Sequence, residues 1–124
     1  MKPIFTEADI ISVYTRADAL RDGVLVNISA LFPITRRLYK YPIAFTASIW
    51  NIIETCGHEN PLGEVLAILI ASQRNITTPI DEACHLFGVI LEGSAPQERW
   101  TFKIQVHASD DFSPCITVMQ ENED

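Results

Sequence analysis

The three cysteines and three histidines of this chain are its first candidates for metal ligands or nucleophiles. Cys84 and His85 are adjacent, and Cys56 and Cys115 each have a histidine within eight positions. A structural metal site needs short, repeated spacings that bring several donors onto one ion, and these pairs have none. Adjacent residues on a strand also point to opposite faces, which separates Cys84 from His85. We therefore expect no metal site, and we interpret the cysteines as reduced, buried thiols.

Two pairs of adjacent carboxylates, Asp81-Glu82 and Asp110-Asp111, are candidates for general acid–base chemistry. Both pairs fall in expected loops, where carboxylates are solvated and titrate near their ordinary pKa. The preference of aspartate for turns accounts for Asp110 and Asp111 without any catalytic role. The glycines are scattered singly, so no Gly-rich loop is available to cradle a phosphate. A Cys/His or Ser/His arrangement assembled in space stays open, but we expect no catalytic residue and no cofactor.

Polar groups near the N-terminus form the other candidate site. Thr15 has the sequence context of a helix N-cap, because Asp18 lies three positions later and can complete a weak capping box. The predicted helix is short, residues 16–22, and Gly23 ends it. As an alternative function, a small ligand-binding or enzymatic domain would use this segment and one aromatic side chain. A deep pocket lined by these groups would favour that interpretation, and a flat surface there would exclude it. The residues of this alternative site are Tyr14, Thr15, Arg16, Arg21 and Trp50.

The elements that must position these residues follow from the hydrophobic pattern. Residues 24–28 predict a short strand, and residues 47–55 and 62–74 predict helices. The second of these helices is apolar on almost every side, which indicates a buried helix. Residues 85–91, 99–107 and 115–119 predict three antiparallel strands joined as a meander.

These elements predict an α+β fold, with short N-terminal helices and one buried central helix packed on an antiparallel sheet of three to five strands. In residues 99–107 apolar and polar side chains alternate. We expect Trp100, Phe102, Ile104 and Val106 to form the face that packs on residues 65–71 of the helix. The tail, residues 121–124, is expected to be acidic and frayed.

The length and the apolar runs bound the class of protein. A chain of 124 residues is most simply a single domain, 1–124. Glu7 and Asp9 interrupt the N-terminal segment where a signal peptide would be apolar. A membrane span needs about 20 apolar residues, and the longest apolar run is residues 65–71. We therefore expect a soluble, cytoplasmic protein, whose oligomeric state the sequence leaves open.

The negative charge of the chain lies almost entirely in its second half. Residues 1–62 carry six Lys or Arg and six Asp or Glu, whereas residues 63–124 carry three and ten. At a net charge of −7 the chain lacks long-range attraction to a phosphate backbone, which argues against direct binding of nucleic acid. We interpret the one basic cluster, Arg36, Arg37 and Lys40, as a solvated helix face. The asymmetry favours a protein partner with a basic surface.

Three stretches are familiar when taken together: ISVYTRADALRDGVLVNIS at residues 11–29, YPIAFTASIW at residues 41–50, and PCITVMQ at residues 114–120. They resemble a family of small proteins of unknown function that is carried on bacteriophages, plasmids and integrated elements. The resemblance covers nearly the whole chain, and the YTRA motif before DGVLV is its most specific part. The chain departs from the family at Asn27, where members tend to carry Asp, and in residues 31–37.

The resemblance implies a mobile-element accessory protein in a bacterial host. The family has no established activity that could be assigned to this chain. By analogy, small acidic proteins in that setting inhibit host defence, as anti-CRISPR and anti-restriction proteins do. We therefore predict a non-enzymatic protein that occludes a basic surface of a defence nucleoprotein complex. Some of the carboxylates in its loops and tail are expected to cluster and to supply the contact, although solubility alone would also explain them. The predicted contact residues are Glu92, Glu98, Asp110, Asp111, Glu121 and Glu123.

A structural subunit or a dimerising regulator is a third possibility. An exposed apolar strand at the edge of the sheet would favour it, because such an edge pairs readily with a second chain.

Overall fold

A six-stranded sheet organises the part of the chain that the computed structural model describes, which is residues 15–57, 59–91 and 99–123. The strands are β1 (Leu25–Asn27), β2 (Ile43–Thr46), β3 (Ile76–Asp81), β4 (Cys84–Ile90), β5 (Arg99–Ala108) and β6 (Pro114–Gln120). The helices are α1 (Arg16–Arg21), α2 (Ile28–Leu31), a 3₁₀ helix (Pro33–Arg37), α3 (Ala47–Thr55) and α4 (Leu62–Arg74).

The spatial order of the strands is β1-β2-β6-β5-β4-β3. The predicted α+β class and the β4-β5-β6 meander are confirmed, and so are the two helices predicted at residues 47–55 and 62–74. The expectation of a purely antiparallel sheet of at most five strands is wrong, because β2 runs parallel to β6 and pairs Ile43 with Ile116 and Phe45 with Val118. Five consecutive residues of β6, from Cys115 to Met119, are buried, as expected for a strand covered on both faces and along both edges.

One face of the sheet carries the core. Side chains of α3 and α4, among them Ile49, Val65 and Leu69, are fully buried against Phe45 and Phe102 of the sheet. Trp100, Phe102 and Ile104 contribute to this core as predicted. Val106, however, which lies near the end of β5, is 36% exposed and is not part of the core, so the expectation is wrong for this residue.

The other face of the sheet is polar along β5 and is only partly covered. Lys103, Gln105 and His107 point to this face, and the pairing register places them opposite Met119, Thr117 and Cys115 of β6. Helix α1 lies over this face and is joined to β6 by the side chain of Arg16. This face, rather than the core, therefore holds the polar side chains that could contact a ligand or a partner.

The strand predicted at residues 24–28 is shorter than expected. The side chain of Asn27 accepts a hydrogen bond from the backbone N–H of Ala30 at 3.2 Å and so begins α2 at Ile28. This cap turns the chain out of the sheet after β1, because the residues that follow take helical backbone angles.

Strand β3 forms one edge of the sheet and was not predicted. All six of its residues are exposed, including Ile76 at 49% and Ile80 at 55%. Pro79 and two register shifts interrupt its pairing with β4, and both features hinder the addition of another strand to this edge.

None of the helices that the structure describes has the length and hydrophobicity needed to span a lipid bilayer.

Candidate functional site

The turn between β5 and β6, residues 109–113, is a closed network of hydrogen bonds, and we call it the Phe112 turn. The backbone N–H of Ser109 donates to the Ser113 carbonyl at 2.8 Å, and the N–H of Phe112 donates to the Ser109 carbonyl at 2.9 Å. The carboxylate of Asp111 accepts from the Ser109 hydroxyl at 2.6 Å and from the backbone N–H and hydroxyl of Ser113. The turn is thus pre-organised by its own side chains.

Phe112 is held at the tip of this turn with its side chain in solvent. It is 87% exposed, the highest value among the large hydrophobic side chains in the described residues. Its φ angle is +67°, in the left-handed region, which a bulky residue occupies at a cost of roughly 1–2 kcal/mol. Glycine would remove both the exposed apolar surface and the strain, so this chain retains an unfavourable residue at a rigid, outward-facing position.

The charge on Asp111 is fixed by the same network. Hydrogen bonds from Ser109 and then from Ser113 lower the pKa of the Asp111 carboxyl to about 2. The expectation that this carboxylate titrates near its ordinary pKa is therefore wrong for Asp111. The carboxylate at the tip of the turn is therefore negatively charged at neutral pH.

Asp110, the neighbouring carboxylate, serves the fold. One of its oxygens accepts from the backbone N–H of Arg16 at 2.8 Å and the other from the N–H of Ala17 at 2.9 Å. The predicted capping box is also present, since Thr15 Oγ1 accepts from the N–H of Asp18 and the Asp18 carboxylate accepts from the N–H of Thr15. Asp110 therefore completes the N-terminal cap of α1 from a distant part of the chain.

The side chain of Arg16 joins α1 to β6. Its guanidinium donates to Thr117 Oγ1 at 2.8 Å and to the carbonyl of Ile116 at 3.0 Å. Thr117 Oγ1 also lies 2.7 Å from His107 Nε2, and His107 Nδ1 lies 3.1 Å from the carbonyl of Ala108. A carbonyl only accepts, so we assign the proton of a neutral His107 ring to Nδ1 and let the Thr117 hydroxyl donate to Nε2.

An open groove of about 760 Å³ lies between α1 and the polar face of the sheet, and we call it the β6 groove. Gln105, His107, Thr117 and Met119 form its floor, α1 and the segment after it form one wall, and the start of α3 forms the other. Asp110 and Glu123 also line it. They lie just beyond opposite ends of β6, a seven-residue strand whose ends are about 20 Å apart.

The expectation of a frayed tail is wrong for Glu123, which is attached to the fold; Asp124 lies outside the described residues. One carboxylate oxygen of Glu123, Oε2, accepts from the Thr46 hydroxyl at 2.9 Å and from the backbone N–H of Gln120 at 2.7 Å. The ammonium of Lys103 donates to the Glu123 carbonyl. These contacts fix Glu123 at its end of the β6 groove.

The predicted contact carboxylates divide between the two ends of β6. Asp110 and Asp111 are in the Phe112 turn, and Glu121 and Glu123 follow the other end of the strand. They therefore form two separate acidic sites rather than one cluster. Glu92 and Glu98 lie outside the residues that the structure describes.

The alternative ligand site is not assembled as predicted. Thr15 and Arg16 line the β6 groove, but Arg21 is exposed and pairs with Asp18 and Asp22. Trp50 packs at the core side, with its ring 6.5 Å from that of Phe32. Tyr14 lies outside the described residues. The groove thus combines two residues of this site with two of the predicted contact carboxylates.

A cysteine and a histidine do approach each other, which sequence spacing did not predict. Cys115 Sγ lies 3.7 Å from both ring nitrogens of His107. A thiol aligned with one nitrogen lone pair would be much closer to that nitrogen than to the other, so this contact is not a nucleophile–base hydrogen bond. Burial also raises the pKa of the Cys115 thiol. In the described ranges no group of three or more His, Cys, Asp or Glu could hold a metal ion.

Sequence reasoning missed Phe112, Gln105 and Thr117. A signal for the first was present, because serine or aspartate at alternate positions 109, 111 and 113 can bond to each other across a turn and isolate the residue between them. The polar alternation of β5 placed Gln105 on an outer face, but nothing in the sequence indicated that α1 would make that face a groove.

Comparison with known proteins gives a family and no function. Curated proteins and solved structures yielded no match to this chain. Residues 1–62, half of the chain, match the profile described as "Family of unknown function (DUF6573)". The matched region contains α1, β1, β2 and α3, which are the elements that build the walls of the β6 groove. The chain belongs to this family of unknown function.

Proposed function

We propose that this protein is a non-enzymatic binding protein and that the Phe112 turn contacts its partner. The observation that carries the proposal is the solvent-exposed Phe112 side chain, held at φ +67° by the hydrogen bonds of Asp111. An exposed aromatic residue on a rigid turn loses little conformational freedom on binding, and aromatic anchors of this kind dominate the energetics of protein interfaces.

The partner surface that fits this turn is an apolar pocket with basic groups at its rim. Phe112 would fill the pocket, and the carboxylate of Asp111 would face the basic groups. The net charge of −7 adds long-range attraction to such a surface and accelerates association at low salt. Asp110 contributes indirectly, because it ties the turn to α1.

We further propose that the partner is a host defence complex, of the restriction or CRISPR type, and that the protein acts in the bacterial cytoplasm as an accessory of a phage or plasmid. This step is supported by the acidic composition, by membership of an uncharacterised family, and by analogy with small inhibitors carried on mobile elements.

A phage plating assay tests both parts of the proposal. In bacteria that carry one defence system, a phage targeted by that system should form more plaques when the protein is expressed than when it is absent. Phe112→Ala should lose most of this effect, whereas Ile90→Ala should keep it, because Ile90 is a comparably apolar residue that is 61% exposed on β4. If the wild-type protein protects phage from no restriction or CRISPR system that is tested, the defence assignment is wrong. A Phe112→Ala variant as active as wild type contradicts the assignment of the turn.

A further inference from the structure

We propose that two copies of this chain associate in solution, with the Phe112 turn of each copy contacting the connection between β1 and β2 of the other. We call this connection, residues 28–42, the basic connection. The turn is also the proposed contact for the partner, so self-association competes with partner binding, and this regulatory part of the inference rests on the proposed function. The association itself is a separate claim that needs no partner.

The basic connection carries an exposed apolar patch with positive charge beside it. Leu31 is 56% exposed and Ile34 is 47% exposed. Side chains three positions apart in a 3₁₀ helix lie on the same side, so Arg37 lies beside Ile34. The connection contains three cations and no Asp or Glu, and no residue that the structure describes forms an ion pair with Arg36 or Arg37. The positive charge of this surface is therefore not compensated within the described part of the chain.

The Phe112 turn carries the complementary groups. Phe112 supplies an exposed ring, and Asp111 supplies a negative charge. The donors to the Asp111 carboxylate are hydroxyl and backbone N–H groups of Ser109 and Ser113, which are neutral and do not cancel that charge. The two surfaces thus match in both properties, because an aromatic ring can cover the aliphatic patch while the carboxylate faces the guanidinium groups.

The topology of the sheet places both surfaces at the same end. β1 and β2 are antiparallel neighbours, so the basic connection joins them at one end of the sheet. β2 runs parallel to β6, and the N–H of Ile116 donates to the carbonyl of Pro42 at 2.8 Å. The Phe112 turn leads into β6 and therefore leaves the sheet at this end too. A two-fold axis at this end allows each turn to meet the basic connection of the other copy, so that the same contact forms twice.

Sedimentation equilibrium at protein concentrations up to about 1 mM tests the association, because small interfaces give weak dimers. A salt concentration of about 0.15 M screens the repulsion between two acidic copies beyond about 8 Å. The mean mass should rise from 13.9 kDa towards twice that value. Phe112→Ala and the double variant Arg36→Gln, Arg37→Gln should each raise the dissociation constant at least about tenfold, because each removes both contacts of the dimer.

A mixture of these two variants tests the reciprocal arrangement. The double variant keeps its turn and Phe112→Ala keeps its basic connection, so one contact can form between unlike copies. The mixture should associate more strongly than either variant alone, which also shows that both variants are folded. The matched control is Arg21→Gln, Arg74→Gln, which produces the same net charge from exposed positions outside both surfaces and should associate as wild type does.

The inference is overturned if the wild-type protein stays monomeric over the whole concentration range or if its mass grows beyond that of a dimer. It is also overturned if the double variant associates as wild type does, if the control loses association equally, or if the mixture associates no better than its components. None of these outcomes contradicts the proposed function, which the plating assay tests.

The plating assay also tests the competition. The double variant Arg36→Gln, Arg37→Gln keeps the Phe112 turn and should protect phage at least as well as wild type, and weaker protection would overturn the regulatory part of the inference. If Phe112→Ala protects phage as well as wild type, the turn is not the partner contact. Association of the purified wild-type protein that is lost in Phe112→Ala would still support the dimer.

Discussion

Asp110 and Arg16 are 94 positions apart in the sequence, yet the carboxylate of Asp110 accepts a hydrogen bond from the backbone N–H of Arg16 at 2.8 Å. This contact makes the Phe112 turn and α1 parts of one structure, since Asp110 lies in the turn and Arg16 begins the helix. Asp110 consequently ties the Phe112 turn to the helix that forms one wall of the β6 groove.

Removing the carboxylate of Asp110 should therefore destabilise the protein. Asp110→Ala leaves the first two N–H groups of α1 without their partner and should lower the free energy of unfolding by about 1 kcal/mol. Asp110→Asn should lose less, because one amide oxygen can still accept. Urea denaturation measures both variants, and an alanine variant as stable as wild type would contradict the capping role.

The bonds of the Arg16 guanidinium to β6 should contribute more than an exposed ion pair. Arg16→Ala removes two charge-assisted hydrogen bonds and should lower the free energy of unfolding by about 1–3 kcal/mol. Thr117→Val tests the same contact from the strand. A double-mutant cycle over the two positions should give a coupling energy above about 0.5 kcal/mol, and strict additivity of the two effects would show that the contact contributes nothing.

The backbone strain at Phe112 should be measurable apart from its side chain. Phe112→Ala and Phe112→Gly both remove the ring, but only glycine adopts φ +67° without cost. Phe112→Gly should accordingly be more stable than Phe112→Ala by about 1 kcal/mol. The comparison needs only thermal or urea unfolding of the two variants, and equal stabilities would mean that the turn does not hold residue 112 in the left-handed region.

The titration of Asp111 should be shifted to acid. Because its folded pKa is about 2, below the ordinary value of 3.8, the network stabilises the fold above pH 4 and this contribution disappears as the pH falls from about 4 towards 2. NMR detection of the Asp111 carboxyl carbon should give a midpoint near 2. In Asp111→Asn the stability should depend less on pH over this range. A midpoint close to 3.8 would contradict the serine network.

The cysteines should react slowly in the native state. Cys56, Cys84 and Cys115 are all buried, and burial raises the pKa of each thiol. A thiol reagent at mildly alkaline pH should label them at about the rate at which the protein opens, and quickly only in denaturant. Rapid labelling of Cys115 in the native protein would indicate a thiolate activated by His107 and would favour an enzymatic function.

Local sequence signals were sufficient for helices α3 and α4 and for the capping of α1. Helices α3 and α4 were predicted to the residue because their apolar stripes and flanking Gly and Pro residues are local features. The pairing of β2 with β6 was not predictable in this way, because it is a contact between segments 73 positions apart, such as Ile43 and Ile116. Strand β3 was missed because exposed residues around a proline give no alternating pattern.

The candidate site shows the same division. The turn at residues 109–113 was expected from its aspartates and proline, but the direction in which Phe112 points depends on its φ angle, which sequence composition does not set. The groove was not predictable, because it exists only where α1 crosses a sheet face that belongs to the other half of the chain.

The most direct test of the account is the affinity of the purified partner for three proteins: wild type, Phe112→Ala and Ile90→Ala, measured by calorimetry at one salt concentration. If the Phe112 turn is the contact, loss of the ring should weaken binding at least about tenfold, and Ile90→Ala should bind as wild type does. If Phe112→Ala binds with wild-type affinity, the partner is held elsewhere on the molecule and the proposed contact is wrong.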